Sequence, residues 1–348
     1  MTNVAECPLV SLVVIAYRQE RLVGDAIAGA FAQTHRPLEI ILSDDHSPDR
    51  TFEVMRDMAA AYSGPHRVIL NRTASNLGLV PHIDRVMELV SGELVVVNAG
   101  DDISSPDRVA RIAELWHRAD RGVTLIHSAA CGIDADGRVL DVIRPPQRIM
   151  DTPTPATIIR DKSHVIGATA AWDRAVFREF GPLGPGLSTE DRVIPFRAAL
   201  LGRIAYLDEP LVHHRVGGIS SQVGSETVQG YLYGITHRLR KWTLEIDRHI
   251  LDRFADRPYP EKACIEQTCR ERIPGLQLHV DLAEASYIQR FVMAPRAVRV
   301  ALHDRSLMPV KHWLRYLFDR VYIPYATSKI ARRAARARRG SGGPSGGG

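Results

Sequence analysis

The chain has 348 residues, 45% hydrophobic and 24% charged, so it can bury a sizeable core without a disulfide or metal staple. Its four cysteines form no CxxC pair, which argues against a disulfide scaffold or a cysteine-rich zinc site. From Arg320 onward there are seven basic residues and no acidic one, whereas the rest is nearly neutral, so an anionic partner is expected at that end.

The apolar run from Leu9 to Tyr17 is predicted to be a buried strand rather than a signal peptide. No Lys or Arg precedes it, and RQE follows where small residues should stand. No stretch reaches the ~20 apolar residues of a spanning helix, so we expect a protein that is not integral to a membrane.

Short apolar runs then alternate with helical patterns. The strands are predicted at 10–16, 38–42, 67–70 and 93–97, and the helices at 22–33, 52–62, 80–90 and 106–118. This alternation predicts an α/β fold with a mostly parallel, Rossmann-like sheet and helices on both faces. Ligands of such sheets bind beyond the carboxyl ends of the strands, which directs attention to residues 17–18, 44–45 and 98–102.

Further strands are predicted at 123–127, 138–142 and 203–215, a loop at 143–160 and a helix at 191–201. Beyond about Gly224 the pattern is helical and polar. We therefore predict an α/β domain at 8–222, a helical C-terminal region at 223–339 and a flexible tail at 340–348.

Two carboxylate pairs follow predicted strands. Asp44-Asp45 has two explanations. The pair binds a nucleobase or a ribose, or it belongs to the turn that caps the next helix, although Ser47 and Asp49 can supply that helix cap. Asp101-Asp102 follows a strand expected to be buried, and Ser104-Ser105-Pro106 already supplies the next cap. Because adjacent carboxylates repel unless a cation or hydrogen bonds offset them, this pair favours a divalent metal shared with substrate phosphates.

Two later motifs have competing explanations. In Glu190-Asp191 the second carboxylate is a candidate general base, yet Ser188 followed by acids also resembles a capping box. In His213-His214-Arg215 a histidine is a candidate metal ligand and the arginine a candidate phosphate ligand, although such a pair is more often structural. The chain has no GxxxxGK[ST], GxGxxG or GxSxG motif, which argues against P-loop, dinucleotide-binding and α/β-hydrolase chemistry.

The ordered set of segments SLVVIAYRQE, FAQTH, LEIILSDDHSPDRT, NLGL, SGELVVVNAGDD and STEDRVIPFRAALLG, over roughly residues 8–220, resembles the family 2 glycosyltransferases of the GT-A fold. The resemblance implies a nucleotide-sugar pocket at the first strand ends, lined by Ala16, Tyr17, Glu20, Asp45, Gly78 and Asp101. It also implies that Asp102 holds Mg²⁺ or Mn²⁺ against the diphosphate and that Asp191 is the base of an inverting transfer.

Some positions depart from the family pattern. Ala99 stands where many members carry a further Asp, which weakens the expected metal affinity. Gly217 or Gly218 stands where many place a metal-binding His, so His214 is taken as that ligand.

The resemblance therefore implies a cytoplasmic enzyme that moves a sugar from a UDP- or dTDP-sugar to a hydroxyl of a saccharide or lipid-linked acceptor, in surface polysaccharide synthesis. Two alternatives stay open. The first is a sugar-nucleotide pyrophosphorylase, which would require a Gly-rich, basic first loop. The second is a non-catalytic, membrane-attached nucleotide-sugar binding module.

The end of the chain has its own pattern. Apolar residues recur at 313, 314, 317, 318 and 321, and an Arg-rich stretch follows. Residues 311–339 therefore form either an interfacial helix with a polybasic segment on the anionic inner face of the cell membrane, or a helix packed on the protein with a solvated tail. Nucleic acid is not an expected partner, because the basic run lacks interleaved aromatics or a recognisable module.

Overall fold

The computed structural model describes residues 8–119, 122–150, 153–160, 165–216, 231–319 and 323. These residues form two compact units. One contains the described residues up to Val216 together with His249–Gln267, and the other contains residues 231–248 and 268–319. The predicted domain boundary at 222/223 lies outside the described residues.

The first unit begins with strands and helices in strict alternation, as predicted. Their bounds are β1 Val10–Ala16, α1 Val23–Phe31, β2 Leu38–Asp44, α2 Thr51–Ala61, β3 Arg67–Arg72, α3 Leu79–Met87 and β4 Leu94–Ala99.

The remainder of this unit is less regular, and the predicted loop at 143–160 contains two short helices. The bounds are β5 Ile103–Ser104, α4 Arg108–Arg118, β6 Val123–Ile133, β7 Val139–Ile143, α5 Gln147–Met150, α6 Pro155–Arg160, a 3₁₀ turn Gly167–Thr169, β8 Ala171–Asp173, α7 Ala175–Phe180, α8 Val193–Leu201 and β9 Arg203–Arg215.

The nine strands of the described residues form one mixed sheet in the order β3-β2-β1-β4-β8-β6-β9-β5, with β7 paired to β6. The first four positions are parallel, whereas β8 runs antiparallel to β4 and β6. The registers Ala16↔Asp44 and Ile15↔Ala99 place the carboxyl ends of β2, β1 and β4 side by side. The α/β prediction is confirmed, and the sheet is parallel in its first half and mixed beyond it.

The core explains why β1, β2 and β4 are continuous apolar runs. Leu12, Ile40 and Val96 are fully buried, and Ile27 and Trp116 from the helices pack into the same cluster. Burying each such side chain contributes roughly 1.5–3 kcal/mol to folding. This packing leaves the polar residues that follow each strand as the groups available for chemistry.

Helices make up the described part of the second unit, as predicted for this region. After a π-helical turn at Tyr231–Thr236 come α9 His237–Arg253, α10 Lys262–Glu284, α11 Tyr287–Val292, α12 Ala294–His303 and α13 Met308–Leu317. Helices α9 and α10 each continue into the first unit. Among the described helices, none is long and apolar enough to cross a membrane.

Of the apolar residues that recur from Trp313 onward, some are packed inside the protein and others are exposed to solvent. Leu317 is buried and Trp313 packs against the cluster around Leu282, whereas Leu314 and Phe318 are exposed. The Arg-rich stretch lies outside the described residues. Membrane contact through 311–339 stays a prediction.

Candidate active site

Asp101 and Asp102 lie at the end of β4, as predicted. Asp102 is buried at 1% exposure, and Asp101 is partly buried. Burial, and next the charge of Asp102, raise the pKa of the Asp101 carboxyl. The two carboxylates therefore repel each other where little water screens their charges. A bound cation would offset this repulsion.

His214 meets Asp102 across 112 residues of chain, with Nδ1 3.0 Å from Oδ2. Strand pairing explains this contact, because β5 pairs with β9 at Ile103↔His213 and so aligns the preceding Asp102 with His214. The hydrogen bond to Asp102 raises the pKa of His214. The structure thus brings together the two residues that were predicted as metal ligands.

Arg215 supports this arrangement. Its N–H donates to Asp102 Oδ1 at 2.9 Å, and its guanidinium donates to the carbonyls of Asp101, Asp134 and Ala135. Those carbonyls take three of its five N–H donors, and its Nη2 lies 3.6 Å from Asp25 Oδ2. Phosphate binding by Arg215 stays a prediction.

A divalent cation fits this pair only with help from a substrate. No group of three or more His, Cys, Asp or Glu residues placed to hold a metal occurs among the described residues. However, Mg²⁺ in proteins is usually bound by one or two carboxylates, and substrate phosphates then complete its coordination shell. Asp101 and Asp102 could supply those carboxylates. Gly217 and Gly218 lie outside the described residues.

The end of β1 adjoins the same place. The Gln19 side chain hydrogen-bonds Asp101, and a Cβ added at Gly100 would lie 2.6 Å from the Ala16 Cβ. Tyr17 is partly buried, and Glu20 is exposed and accepts from the Arg50 N–H at 3.0 Å. Ala16 and Asp101 are therefore neighbours, as the common strand edge predicts.

Asp45 and Gly78 are joined directly. Asp45 is buried and accepts from the N–H of Leu77, the N–H of Gly78 and the hydroxyl of Thr73 at 2.8–3.0 Å. Gly78 has φ +83°, which the missing Cβ allows without strain. Asp45 thus shapes the loop of residues 73–78, and its carboxylate retains about one unused lone pair for a base. Its role in base binding stays a prediction.

Arg108 hydrogen-bonds several groups next to the Asp101-Asp102 turn, and its role was not predicted from the sequence. Its guanidinium donates to Asn98 Oδ1, to Ser104 Oγ, and to the carbonyls of Val97 and Ala168 at 2.8–3.1 Å. Burial lowers its pKa to about 9, so it stays charged at neutral pH. Asn98 in turn donates to the Asp102 carbonyl at 2.8 Å, so Arg108 connects the Asp101-Asp102 turn to the 3₁₀ turn.

The predicted base, Asp191, lies beside that same 3₁₀ turn. A Cβ added at Gly167 would lie 2.7 Å from Asp191 Oδ1 and 3.0 Å from Glu190 Oε1. Burial, and next the charge of Asp191, raise the pKa of Glu190 well above its usual range. Burial beside a second carboxylate therefore favours the neutral form of Glu190.

Sequence and structure comparisons relate this chain to known proteins. The model of glycosyl transferase family 2 matches residues 11–181. The putative glycosyltransferase EpsE of Bacillus subtilis is 31% identical over 104 residues, which are 30% of this chain and 37% of that protein. An uncharacterized glycosyltransferase of Nostoc is 24% identical over 221 residues, 62% of this chain and 67% of that protein. The chain thus spans about a third of the first relative's length and two thirds of the second's.

Two solved structures share the fold. S. aureus TarS in complex with UDP-GlcNAc superposes with a TM-score of 0.50 at 15% identity, covering 85% of this chain and 92% of that one. The mannosyltransferase PcManGT of Pyrobaculum calidifontis, in complex with GDP-Man and Mn²⁺, gives 0.53 at 17% identity, covering 90% and 88%. At these identities the likeness establishes the fold alone.

Proposed function

Residues 11–181 match the model of glycosyl transferase family 2, and from that match we propose that the chain transfers a sugar from a nucleoside-diphosphate donor to an acceptor hydroxyl with inversion. The observation that supports this most is the meeting of Asp101, Asp102 and His214 at the carboxyl edge of the sheet. The family match favours glycosyl transfer over the pyrophosphorylase and binding-module alternatives.

In the proposed donor site, Asp102 and His214 hold Mg²⁺ or Mn²⁺ and Asp101 faces the ribose or diphosphate. The bound cation would neutralise charge that develops on the leaving diphosphate. Ala16, Tyr17, Glu20, Asp45 and Gly78 would surround the nucleoside. Arg108 and Arg215 keep the Asp101-Asp102 turn in one conformation, so the site is largely formed before the donor arrives.

In the proposed chemical step, Asp191 accepts the proton of the attacking hydroxyl while the diphosphate departs from the opposite face of the sugar. The transition state is expected to resemble an oxocarbenium ion, by analogy with inverting glycosidases. Burial raises the pKa of Glu190 and so favours its neutral form, which supports the proposal that Asp191 is the carboxylate of the pair that accepts the proton.

For the biological setting we propose a UDP- or dTDP-sugar donor and a saccharide or lipid-linked acceptor in surface polysaccharide synthesis. The protein would act in the cytoplasm, at the inner face of the membrane. The basic composition of residues 320–339 and the exposed Leu314 and Phe318 support that placement.

Calorimetric titration with UDP, dTDP and GDP tests the donor site. We expect saturable binding of one nucleotide in Mn²⁺ and its loss in EDTA, because Asp102 would hold the cation that neutralises the diphosphate. Binding that is equal in Mn²⁺ and EDTA would contradict the metal assignment. The absence of binding to all three by folded protein would contradict the donor pocket.

Gly167→Ala tests the position of the base. The new methyl group would lie 2.7 Å from Asp191 Oδ1, so the carboxylate must move, and a displacement of this size lowers turnover by about 10–100-fold. The measurement is release of nucleoside diphosphate from the donor identified by calorimetry, with donor affinity expected to stay unchanged.

Gly24→Ala is the matched control, because its Cβ would meet only ordinary contacts at 3.9–4.0 Å and Ala favours the helix. If Gly167→Ala turns over as fast as Gly24→Ala and the wild type, Asp191 need not occupy this position.

A further inference from the structure

Helix α11 carries its apolar residues on the outside. Four of its six side chains are large, apolar and 60–77% exposed, and they are Tyr287, Ile288, Phe291 and Val292. At 3.6 residues per turn these four positions fall on one side of the helix. A helix on the surface of a water-soluble domain normally presents its polar side to solvent, so α11 has the reverse of the expected pattern.

The inward side of α11 is held by the charged residue Arg290, whose side chain is only 12% exposed. Its Nε donates to the Leu282 carbonyl, and its Nη1 donates to the Tyr316 carbonyl and to Asp319 Oδ2, all at 2.9 Å. The Trp313 indole N–H donates to the Arg290 carbonyl at 2.7 Å. These bonds fix the rotation of α11 about its axis, because turning the apolar side inward would break a largely buried ion pair.

The same contacts determine where the basic end of the chain begins. Asp319 pairs with Arg290 of α11, and the next residue, Arg320, is the first of seven basic residues that no acidic residue interrupts. Phe318, immediately before Asp319, is exposed. The polybasic stretch therefore starts one residue beyond a side chain that contacts α11.

An exposed apolar surface beside a polybasic stretch is complementary to an anionic lipid surface. Apolar side chains of such a helix enter the boundary between headgroups and acyl chains, while Lys and Arg attract anionic headgroups. Tyrosine is among the residues enriched at this boundary, which fits Tyr287. A second copy of the chain on the same face would bring two basic stretches together, and like charges repel.

We propose that the exposed side of α11 inserts into an anionic membrane surface, with the basic residues from Arg320 onward on the lipid headgroups. The inference rests on the membrane placement proposed above and assigns it to a particular helix. It does not depend on the donor site, the cation or the base, all of which belong to the first unit.

Sedimentation of the full chain with vesicles tests the proposal. The vesicles are phosphatidylcholine alone or phosphatidylcholine with phosphatidylglycerol, and we expect stronger binding to the anionic ones. Ile288→Gln combined with Phe291→Gln should lower the partition coefficient on anionic vesicles about tenfold or more, because two apolar side chains no longer leave water. Val292→Gln replaces this double variant if circular dichroism shows that it fails to fold.

Val139→Gln combined with Leu140→Gln is the matched control, since it makes the same change at two exposed apolar residues of β7 in the first unit. Its vesicle binding should equal that of the wild type. If the α11 variant also binds anionic vesicles as the wild type does, the inference is overturned, although the membrane placement would stand through the basic stretch.

Two other results would also overturn the inference. The absence of wild-type binding to anionic vesicles would remove the membrane placement together with the role of α11, whereas donor binding, measured without vesicles, would be unaffected. Sedimentation velocity without vesicles tests the remaining occupant. A wild-type dimer that the α11 variant converts to a monomer, with vesicle binding unchanged, would assign this face to a second copy of the chain.

Discussion

Asp191→Asn is expected to lower the rate of sugar transfer by about 10²–10⁴-fold, the usual contribution of a general base. An amide has nearly the shape of the carboxylate but cannot accept the proton of the attacking hydroxyl. Asp191 lies beside Gly167, on the segment before α8, whereas the proposed donor ligands lie at the ends of β1 and β4. Donor affinity should therefore stay close to that of the wild type.

The measurement pairs nucleoside diphosphate release with calorimetry on the same preparation. Asp256→Asn, at an exposed position of the same unit, controls for the loss of one carboxylate. Turnover within a few-fold of the wild type would show that another group takes the proton. Loss of donor binding together with turnover would instead assign Asp191 to the donor pocket.

Asp102→Asn is expected to have the complementary effect, a fall of about 100-fold in Mn²⁺-dependent affinity for the nucleoside diphosphate. A cation bound between protein and phosphates contributes several kcal/mol, and each 1.4 kcal/mol is tenfold in affinity. The amide removes the charge that attracts the cation and the acceptor that His214 uses. The remaining affinity should no longer respond to EDTA.

Asp102 also has a structural role, so stability must be measured with affinity. It accepts the Arg215 N–H and pairs with His214, and removing one partner of a buried pair destabilises a protein by up to 3–5 kcal/mol. His214 is about one third exposed, so the loss here should lie well below that range. A thermal melt that shows folded protein, with wild-type affinity in Mn²⁺, would remove Asp102 from the metal site.

The two variants separate binding from chemistry. Asp191→Asn should bind the donor without transferring sugar, and Asp102→Asn should bind it poorly. A pyrophosphorylase or a passive binding module would not show this division, since neither needs a base for an acceptor hydroxyl.

The described structure agrees with the sequence most closely where the signal is local. The alternation of buried apolar strands with helices predicted β1 to β4 to within two residues at either end. The strand-end rule then selected Asp45, Asp101 and Asp102. Short elements such as β5 and β8 were missed, because two or three residues carry no measurable period.

Contacts over long separations were accessible only through the fold. Pairing of β5 with β9 puts His214 on Asp102, and nothing in the local pattern around either residue encodes that register. Arg108 resembles any charged residue at the start of an amphipathic helix, yet it is fully buried and binds carbonyls 11 and 60 residues away. Glu190 resembles a helix cap until its burial is known.

The amino-acid sequence alone thus determined the fold class, the family resemblance and the carboxylates at the sheet edge, because hydrophobic periodicity and short motifs are local properties of a chain. The tertiary structure decided which of those carboxylates share a site, how far each is removed from water and which residues hold them in place. Those properties depend on distance and solvation, which exist only once segments far apart in sequence have packed together.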